Sequence, residues 1–591
     1  MSAIKANQVL NLDGDRIGSV IVDTIANMKN LNTEIEANAT VELLGYYSKG
    51  DGGGGTFYWD STSIEDDNGG TIIQATGVVD GRWIRNYSGA VNVKWFGAVD
   101  GGDDCTDAVN AAAEAAKDYG DYTEKRIEII GEKYTILGTV YLRLGQSLYG
   151  EGTRLYMGAT GSIKVGYNSS GVKDSGGHPP YIDGFWIEGG YNPINCAVSG
   201  YFITRCFFSV PVAPCIFSGS DGVVDNCVFD NGSVAVSFGG SNTTMSNCIF
   251  YVCVTQLQFT DCNNSVISNC VFNYASEASV KFGNLSGATK YINNLRFDNC
   301  SFKLNTHGAS FKGFIYTLNS AIEGNVYFTG CSFINAKDAC VNITGTSSLL
   351  ELYFNDCVFD GEKSRDNEAQ STTAYAVNYS GSGKNKVYIS GSIIKNMRDT
   401  PVQTSTNEAY ELSLKDITFK DNAGTEDINL AGTNGSAIVN IQDIQGSGKT
   451  LLVDNGNQET FIKGHLVDCM TKVTSGGREY WELPFENSTL IKLTVSLNRN
   501  PAGSTLYRRS AVYYVSIGYD YSGGTLTQGT ISSVFESTSP LGGTLDTQLD
   551  INTLGNGLTI TGTAEKGKMI ISTPEGYGYQ IFDVKYELYN A

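Results

Sequence analysis

Arg205-Cys206-Phe207-Phe208, Asn226-Cys227-Val228-Phe229, Asn247-Cys248-Ile249-Phe250 and Asn269-Cys270-Val271-Phe272 repeat one short pattern. Asn299-Cys300-Ser301-Phe302, Gly330-Cys331-Ser332-Phe333 and Asp356-Cys357-Val358-Phe359 continue it. Three residues before each Cys stands an apolar residue: Ile203, Val224, Met245, Ile267, Phe297, Phe328 or Phe354. With looser chemistry the pattern reaches back to Gly184 and Phe185, and forward through Gly391-Ser392, Asp416-Ile417 and Asp443-Ile444.

Anchor positions 185, 206, 227, 248 and 270 differ by 21, 21, 21 and 22 residues, and the later gaps are 30, 31, 26, 35, 25 and 27. A short period that later stretches by insertion marks stacked supersecondary units. Leu-x-x-Leu-x-Leu is absent, as are runs of helix formers. Each unit instead alternates over short β segments broken by Asn, Asp or Gly, residues that accept left-handed backbone at a corner. Cys, Phe and the apolar residue before the corner all point inward. That is one coil of a parallel β-helix, and stacking coils about 4.8 Å apart places Cys over Cys and Phe over Phe.

A solenoid suits 591 residues, because each coil needs only its neighbours. Of the 14 cysteines, seven fall in the ladder. Parallel neighbours aim their Cβ atoms the same way, which is poor disulfide geometry, so buried reduced thiols are expected. Three histidines and no Cys/His zinc spacing predict no metal or other cofactor. A net charge of −21 argues against nucleic acid. The first residues lack a basic stretch followed by an apolar run, so no secretory signal is expected. No stretch has the ~18 apolar residues of a membrane span, so no membrane insertion is expected either.

In chain order, residues 1–38 read as an attachment or oligomerisation segment with a weak helix at 23–30. Residues 39–90 read as a small β domain with Gly turns. Its run Gly52-Gly53-Gly54-Gly55 lacks the Gly-Lys-Ser/Thr ending of a phosphate loop. The β-helix is expected over 91–465, with an Ala-rich capping helix near 107–118 and Asp107 as its N-cap. Residues 466–591 alternate differently and predict a terminal β-sandwich that caps the helix, locks an oligomer or binds sugar.

Residues 43–97, with the Gly run and Gly81-Arg82-Trp83-Ile84, resemble the small domain ahead of the helix in many bacteriophage tailspikes. Residues 93–155 resemble the entry of the pectate-lyase-like β-helix superfamily: Trp95-Phe96-Gly97-Ala98, an Asp-rich loop, Thr106-Asp107-Ala108, then Gly150-Glu151-Gly152-Thr153. Relatives often carry Gly-Asp-Gly after the Ala, where this chain has Val99-Asp100-Gly101-Gly102. With the ladder, the resemblance covers about 40–465. It implies an all-β, right-handed parallel β-helix forming a homotrimer on the virion tail. It also implies attachment to tail or baseplate proteins through the N-terminus, and depolymerisation of a bacterial capsular polysaccharide or O-antigen. It supplies no portable catalytic residues, since tailspike sites differ from one polysaccharide to another.

The ladder phase says what faces out. Four residues before the anchors, one column contains Arg296, Tyr327, Tyr353 and Tyr388; six before, another contains Asn294, Asn325, Glu351, Lys386 and Glu411. Stacked tyrosines suit the C–H faces of sugars, and flanking charges suit their polar groups. The same face would equally serve as a subunit interface or a plain tyrosine ladder. For hydrolysis, the candidates are Glu351 with Glu323, Asp338, Asp360 or Glu362. For elimination on a uronic acid, Tyr353, Tyr388 or His307 would act as base and Arg296, Lys386 or Arg365 would hold the uronate. Substrate binding is expected at Tyr327, Tyr353, Tyr388, Arg296, Lys386, Arg365, His307 and Glu411. A non-catalytic sugar-binding tail fibre and a secreted pectin-type lyase are the other readings.

Overall fold

The computed structural model describes residues 20–31, 39–116 and, apart from loops between strands, 125–446; strand backbone is also described at 9–10, 16–17 and between 450 and 589. The chain divides into two compact units, residues 1–257 and 258–591. The described residues are almost all β, and no helix among them is long and apolar enough to cross a membrane.

The first unit begins with a five-stranded sheet in the order Val20–Val22, Thr40–Leu43, Gly55–Asp60, Arg82–Arg85, Ile72–Ile73. Alternation buries Val22, Val41, Leu43, Phe57, Trp59, Ile73 and Trp83 against the short helix Ile25–Lys29. Val20–Val22 runs parallel to Val41–Leu43, so the sheet starts inside the segment read as an attachment piece. The Gly run is organised by an arginine, with no phosphate needed. Arg85 donates to the carbonyls of Gly53, Gly54 and Gly70 at 2.9, 2.7 and 3.0 Å, and its guanidinium lies over Phe57 and Trp95.

A helix, Thr106–Ala115, follows. Its N-cap is Cys105, which makes no side-chain cap bond; Asp104, just before it, accepts from the Thr106 N–H at 2.9 Å, and Asp107 sits inside the first turn. The expectation of Asp107 as N-cap fails because the helix already begins at Thr106, whose N–H and hydroxyl Asp104 holds from two residues ahead. The last residues of the expected helix lie outside the described residues. Asn110 and Gln146 tie the helix to the first coil through Thr139, Tyr141 and Ala113.

Coils stack from Lys125 onward in parallel register, for example Ile203 on Val224 and Phe208 on Phe229. The residue before each anchor Cys is left-handed: Arg205, Asn226 and Asn247 at φ 52, 52 and 54°. Cys206, Cys227 and Cys248 are buried free thiols. Phe208, Phe229 and Phe250 stack at 4.9 and 4.8 Å between centroids.

The second unit repeats the plan. Asn269, Asn299, Gly330, Asp356, Gly391, Asp416 and Asp443 all have positive φ at the corner. Phe272, Phe302, Phe333 and Phe359 form one stack, and Phe297, Phe328 and Phe354 a second, with every spacing between 4.6 and 4.9 Å. Cys300, Cys331 and Cys357 hydrogen-bond carbonyls of the preceding coil, Ile267, Phe297 and Phe328. Met470–Val473 still pairs in parallel with Thr450–Asp454, and from Tyr480 on the pairing is antiparallel: Leu490–Arg499 lies between Tyr507–Ser522 and Tyr579–Tyr589, and Tyr480–Phe485 pairs with Gly567–Ser572.

Candidate functional site

The outward face of the second unit changes where a corner is lost. On the strands at 262–298, Asn264 and Asn294 are left-handed corners, and Asn294 donates to Asn264 at 3.1 Å. At the equivalent places, Ile322–Thr329 and Leu349–Asn355 continue as strand through Asn325 and Glu351, and the strands Lys386–Ser390 and Glu411–Lys420 begin at Lys386 and Glu411. The loss of the corner turns a bend into flat sheet, so outward side chains stand in aligned columns.

One column is Arg296, Tyr327, Tyr353, Tyr388 and Ser413, each paired in register with the next. The three tyrosine rings stack at 4.8 and 4.6 Å, and the Arg296 guanidinium lies 5.9 Å from the Tyr327 centroid. Beside it runs Asn325, Glu351, Lys386 and Glu411. Lys386 Nζ is 2.9 Å from Glu351 and 3.8 Å from Glu411, and the Tyr353 hydroxyl donates to Glu351 at 2.7 Å. A third column, two residues further along the strands, holds Tyr291, Glu323 and Leu349. Glu323 and Glu351 thus share one face, one coil and two residues apart, about 8 Å between Cα atoms by strand geometry.

The Lys386 and Tyr353 hydrogen bonds hold the Glu351 carboxyl below its usual range. Glu351 in turn keeps Lys386 firmly charged. Burial, and then the hydrogen bond to Glu351, pushes the Tyr353 hydroxyl well up; burial and Glu411 do the same for Tyr388. Glu323 has no ion-pair partner among the described side chains.

The other acids lie off this face. Asp360 ends the strand after the Asp356 corner, paired with Lys395 at 2.9 Å and with Asn396 at 2.8 Å. Glu362 is exposed just beyond it. Asp338 is exposed ahead of Ala339–Ile343, 3.9 Å from Arg398. His307 and Arg365 lie outside the described residues.

A concavity in the first unit was not anticipated. It encloses about 550 Å³ and is lined by residues including Arg126, Tyr149, Glu151, Asp183, Trp186, Arg205 and Phe207. Gly150, Gly152 and Gly184 stand at its corners. Gly152 and Gly184 have φ of 89 and 77°, and a Cβ on Gly150 would meet the Phe185 ring at 2.3 Å. The readable signal was glycine at corners where later coils have Asn or Asp, beside Trp186 and Phe207 in a column that continues as Val228 and Ile249.

Residues 21–88 match the family model of the phage tail protein small four-stranded β-sheet domain. Residues 184–359 match that of the right-handed β-helix region. A match to the phage-tail β-sheet domain thus precedes a match to the right-handed β-helix along the chain. Among solved structures it resembles the tailspike of Acinetobacter baumannii phage AM24, at 14% identity over 100% of this chain and 98% of that one, TM-score 0.41. It also resembles the gp49 tailspike of Acinetobacter baumannii phage Fri1, a capsular polysaccharide depolymerase, at 11% identity over 97% and 98%, TM-score 0.35. A third likeness is to the catalytic unit of an α-1,3-glucanase from Streptomyces thermodiastaticus, at 13% identity over 65% and 73%, TM-score 0.40. No residue role is carried across from these likenesses.

Proposed function

We propose that this protein is a trimeric tailspike, borne on the virion tail, that recognises a bacterial surface polysaccharide and cuts it by glycosidic hydrolysis. The observation that carries the reading is the flat outward face of the second unit, where three stacked tyrosines run beside Glu351, Lys386 and Glu411. The phage-tail domain match over residues 21–88 supports the virion location. Sugar rings lie with their C–H faces on the tyrosine edge of the ladder, and the charged column meets their hydroxyls.

Glu323 and Glu351 are the carboxylate pair. Glu351, kept ionised by Lys386 and Tyr353, serves as base or nucleophile, and Glu323 protonates the leaving oxygen. Elimination is the weaker reading here. Tyr353 and Tyr388, the tyrosines placed to act as bases, hold their protons more tightly than free tyrosine. Lys386 is already engaged by two carboxylates.

The test is incubation with purified capsules and O-antigens, following new reducing ends and absorbance near ~235 nm, where an unsaturated uronate absorbs. Reducing ends without the absorbance support hydrolysis, and both together mean a lyase. Binding without either means a sugar-gripping fibre. Glu351→Gln and Glu323→Gln should each slow cutting by about a hundredfold or more while leaving binding in place; full activity in either variant removes that residue from the pair.

A further inference from the structure

We propose that the concavity of the first unit is a separate binding site for an uncharged sugar unit of a surface polysaccharide. This extends the carbohydrate reading above to a place distinct from the tyrosine face.

The floor is aromatic. Trp186 and Phe207 sit on adjacent coils with ring centroids 4.5 Å apart and tilted by 46°, both half-buried. The Arg154 guanidinium covers Trp186 at 4.5 Å, and Arg126 covers Tyr149 at 3.9 Å. With Arg154 over one face and Phe207 against the other, Trp186 offers its outward edge, and the apolar strip that it forms with Phe207 suits the C–H groups of a sugar better than a strongly hydrated ion.

The wall supplies paired donors and acceptors. Asp183 is buried, with a side chain only 7% exposed. It accepts from Arg205 Nε at 2.8 Å, from a second guanidinium nitrogen of Arg205, and from Thr204 at 2.7 Å. Burial alone would push its carboxyl up, but Arg205, Thr204 and Arg126 more than offset this and leave it ionised. Gly152 and Gly184 leave the mouth free of side chains, Gly150 makes room for the buried Phe185 ring beneath it, and Glu151 stands exposed on the rim at φ 47°. The Trp186 indole Nε1 is buried and finds no acceptor among the described residues, a leftover donor of the kind that a bound hydroxyl or water satisfies.

Charge selects the occupant. Each of the three arginines already faces a carboxylate: Arg205 with Asp183, Arg154 with Glu188 at 3.2 Å, and Arg126 with Glu128 at 3.5 Å. Among the described residues of the concavity, no arginine is left without a carboxylate for a uronate or sialate to find. Hydroxyls, which donate and accept at once, can bridge such ion pairs without breaking them. A volume of about 550 Å³ is the size of a small-ligand pocket.

The test is an array of purified bacterial surface polysaccharides, one arm uncharged and one bearing uronate or sialate, presented to the full chain. Trp186→Val installs the type of residue that Val228 provides two coils on, so the fold is expected to tolerate it. Arg205→Asn likewise installs the corner residue of the next coil, Asn226, and serves as a second variant should the first unfold. The expected result is binding to at least one uncharged polysaccharide, weakened about tenfold or more by Trp186→Val at an unchanged unfolding midpoint. Unaltered binding in both Trp186→Val and Arg205→Asn, binding confined to the charged arm, or no binding at all overturns the proposal. Loss of cutting in Glu351→Gln alongside unaltered binding in both Trp186→Val and Arg205→Asn would sink this site and leave the tyrosine-face reading standing.

Discussion

Asp51 shows how single side chains hold the small domain. Its carboxylate accepts from the backbone N–H groups of Tyr46, Tyr47, Ser48 and Gly53 at 2.8–2.9 Å. Burial opposes the charge, yet the four donors keep the carboxyl below its usual range. A depressed folded pKa means that the stabilisation is present above the unfolded value and is lost as pH falls through the folded one. Asp51→Ala should therefore lower the unfolding free energy by about 2 kcal/mol at neutral pH, and by less in acid, as read by urea titration at several pH values. On the tyrosine face, Tyr353→Phe keeps the ring stack and removes one donor to Glu351. The Glu351 pKa then rises, so the acid limb of the pH–rate profile should move to higher pH. An unmoved limb would dissociate Glu351 from that ionisation.

Among the strands, the repeated unit is a coil whose corner needs a left-handed residue and whose interior stacks like on like. Phe302 lies between Phe272 and Phe333 and is fully buried. Phe302→Ala should cost about 3–5 kcal/mol, the loss expected when an aromatic leaves a cavity in a close-packed core. Hydrogen exchange should show the protection falling first on the two coils that stack on it, because a solenoid transmits strain to its neighbours. An even loss of protection over all coils of the second unit would contradict that locality. The thiols are part of the same packing. Burial pushes the Cys340 thiol well up, so thiol reagents should label it only after unfolding.

For the whole molecule, the proposed trimer should give about three chain masses of 63.5 kDa each by light scattering. A monomer at micromolar concentration would remove the trimer from the proposal. An unfolded acidic chain and a folded acidic oligomer both carry the −21 charge of each subunit, so self-repulsion makes assembly easier to measure at moderate salt than at low salt. Surface polysaccharides are often anionic. In the concavity the described arginines each face a carboxylate, which favours sugars read through hydroxyls, whereas on the tyrosine face Arg296 is held by Asn294 and Tyr327 and by no carboxylate among the described residues.

The repeat of Cys, Phe and corner residue determined the coil, its inward faces and the outward columns, because a period-two strand and a left-handed corner leave one phase open. Arg296, Tyr327, Tyr353 and Tyr388 were placed on one column from that phase alone, and their pairing in register bears it out. Only the tertiary structure decided which acids share a face. Glu323 and Glu351 lie together, while Asp338, Asp360 and Glu362 lie past a corner, and insertions of unequal length hide that difference in the sequence. The concavity of the first unit was likewise out of reach, since it arises from side chains that are missing at corners on adjacent coils. A hollow exists only once those coils are stacked, and no single stretch of sequence contains it.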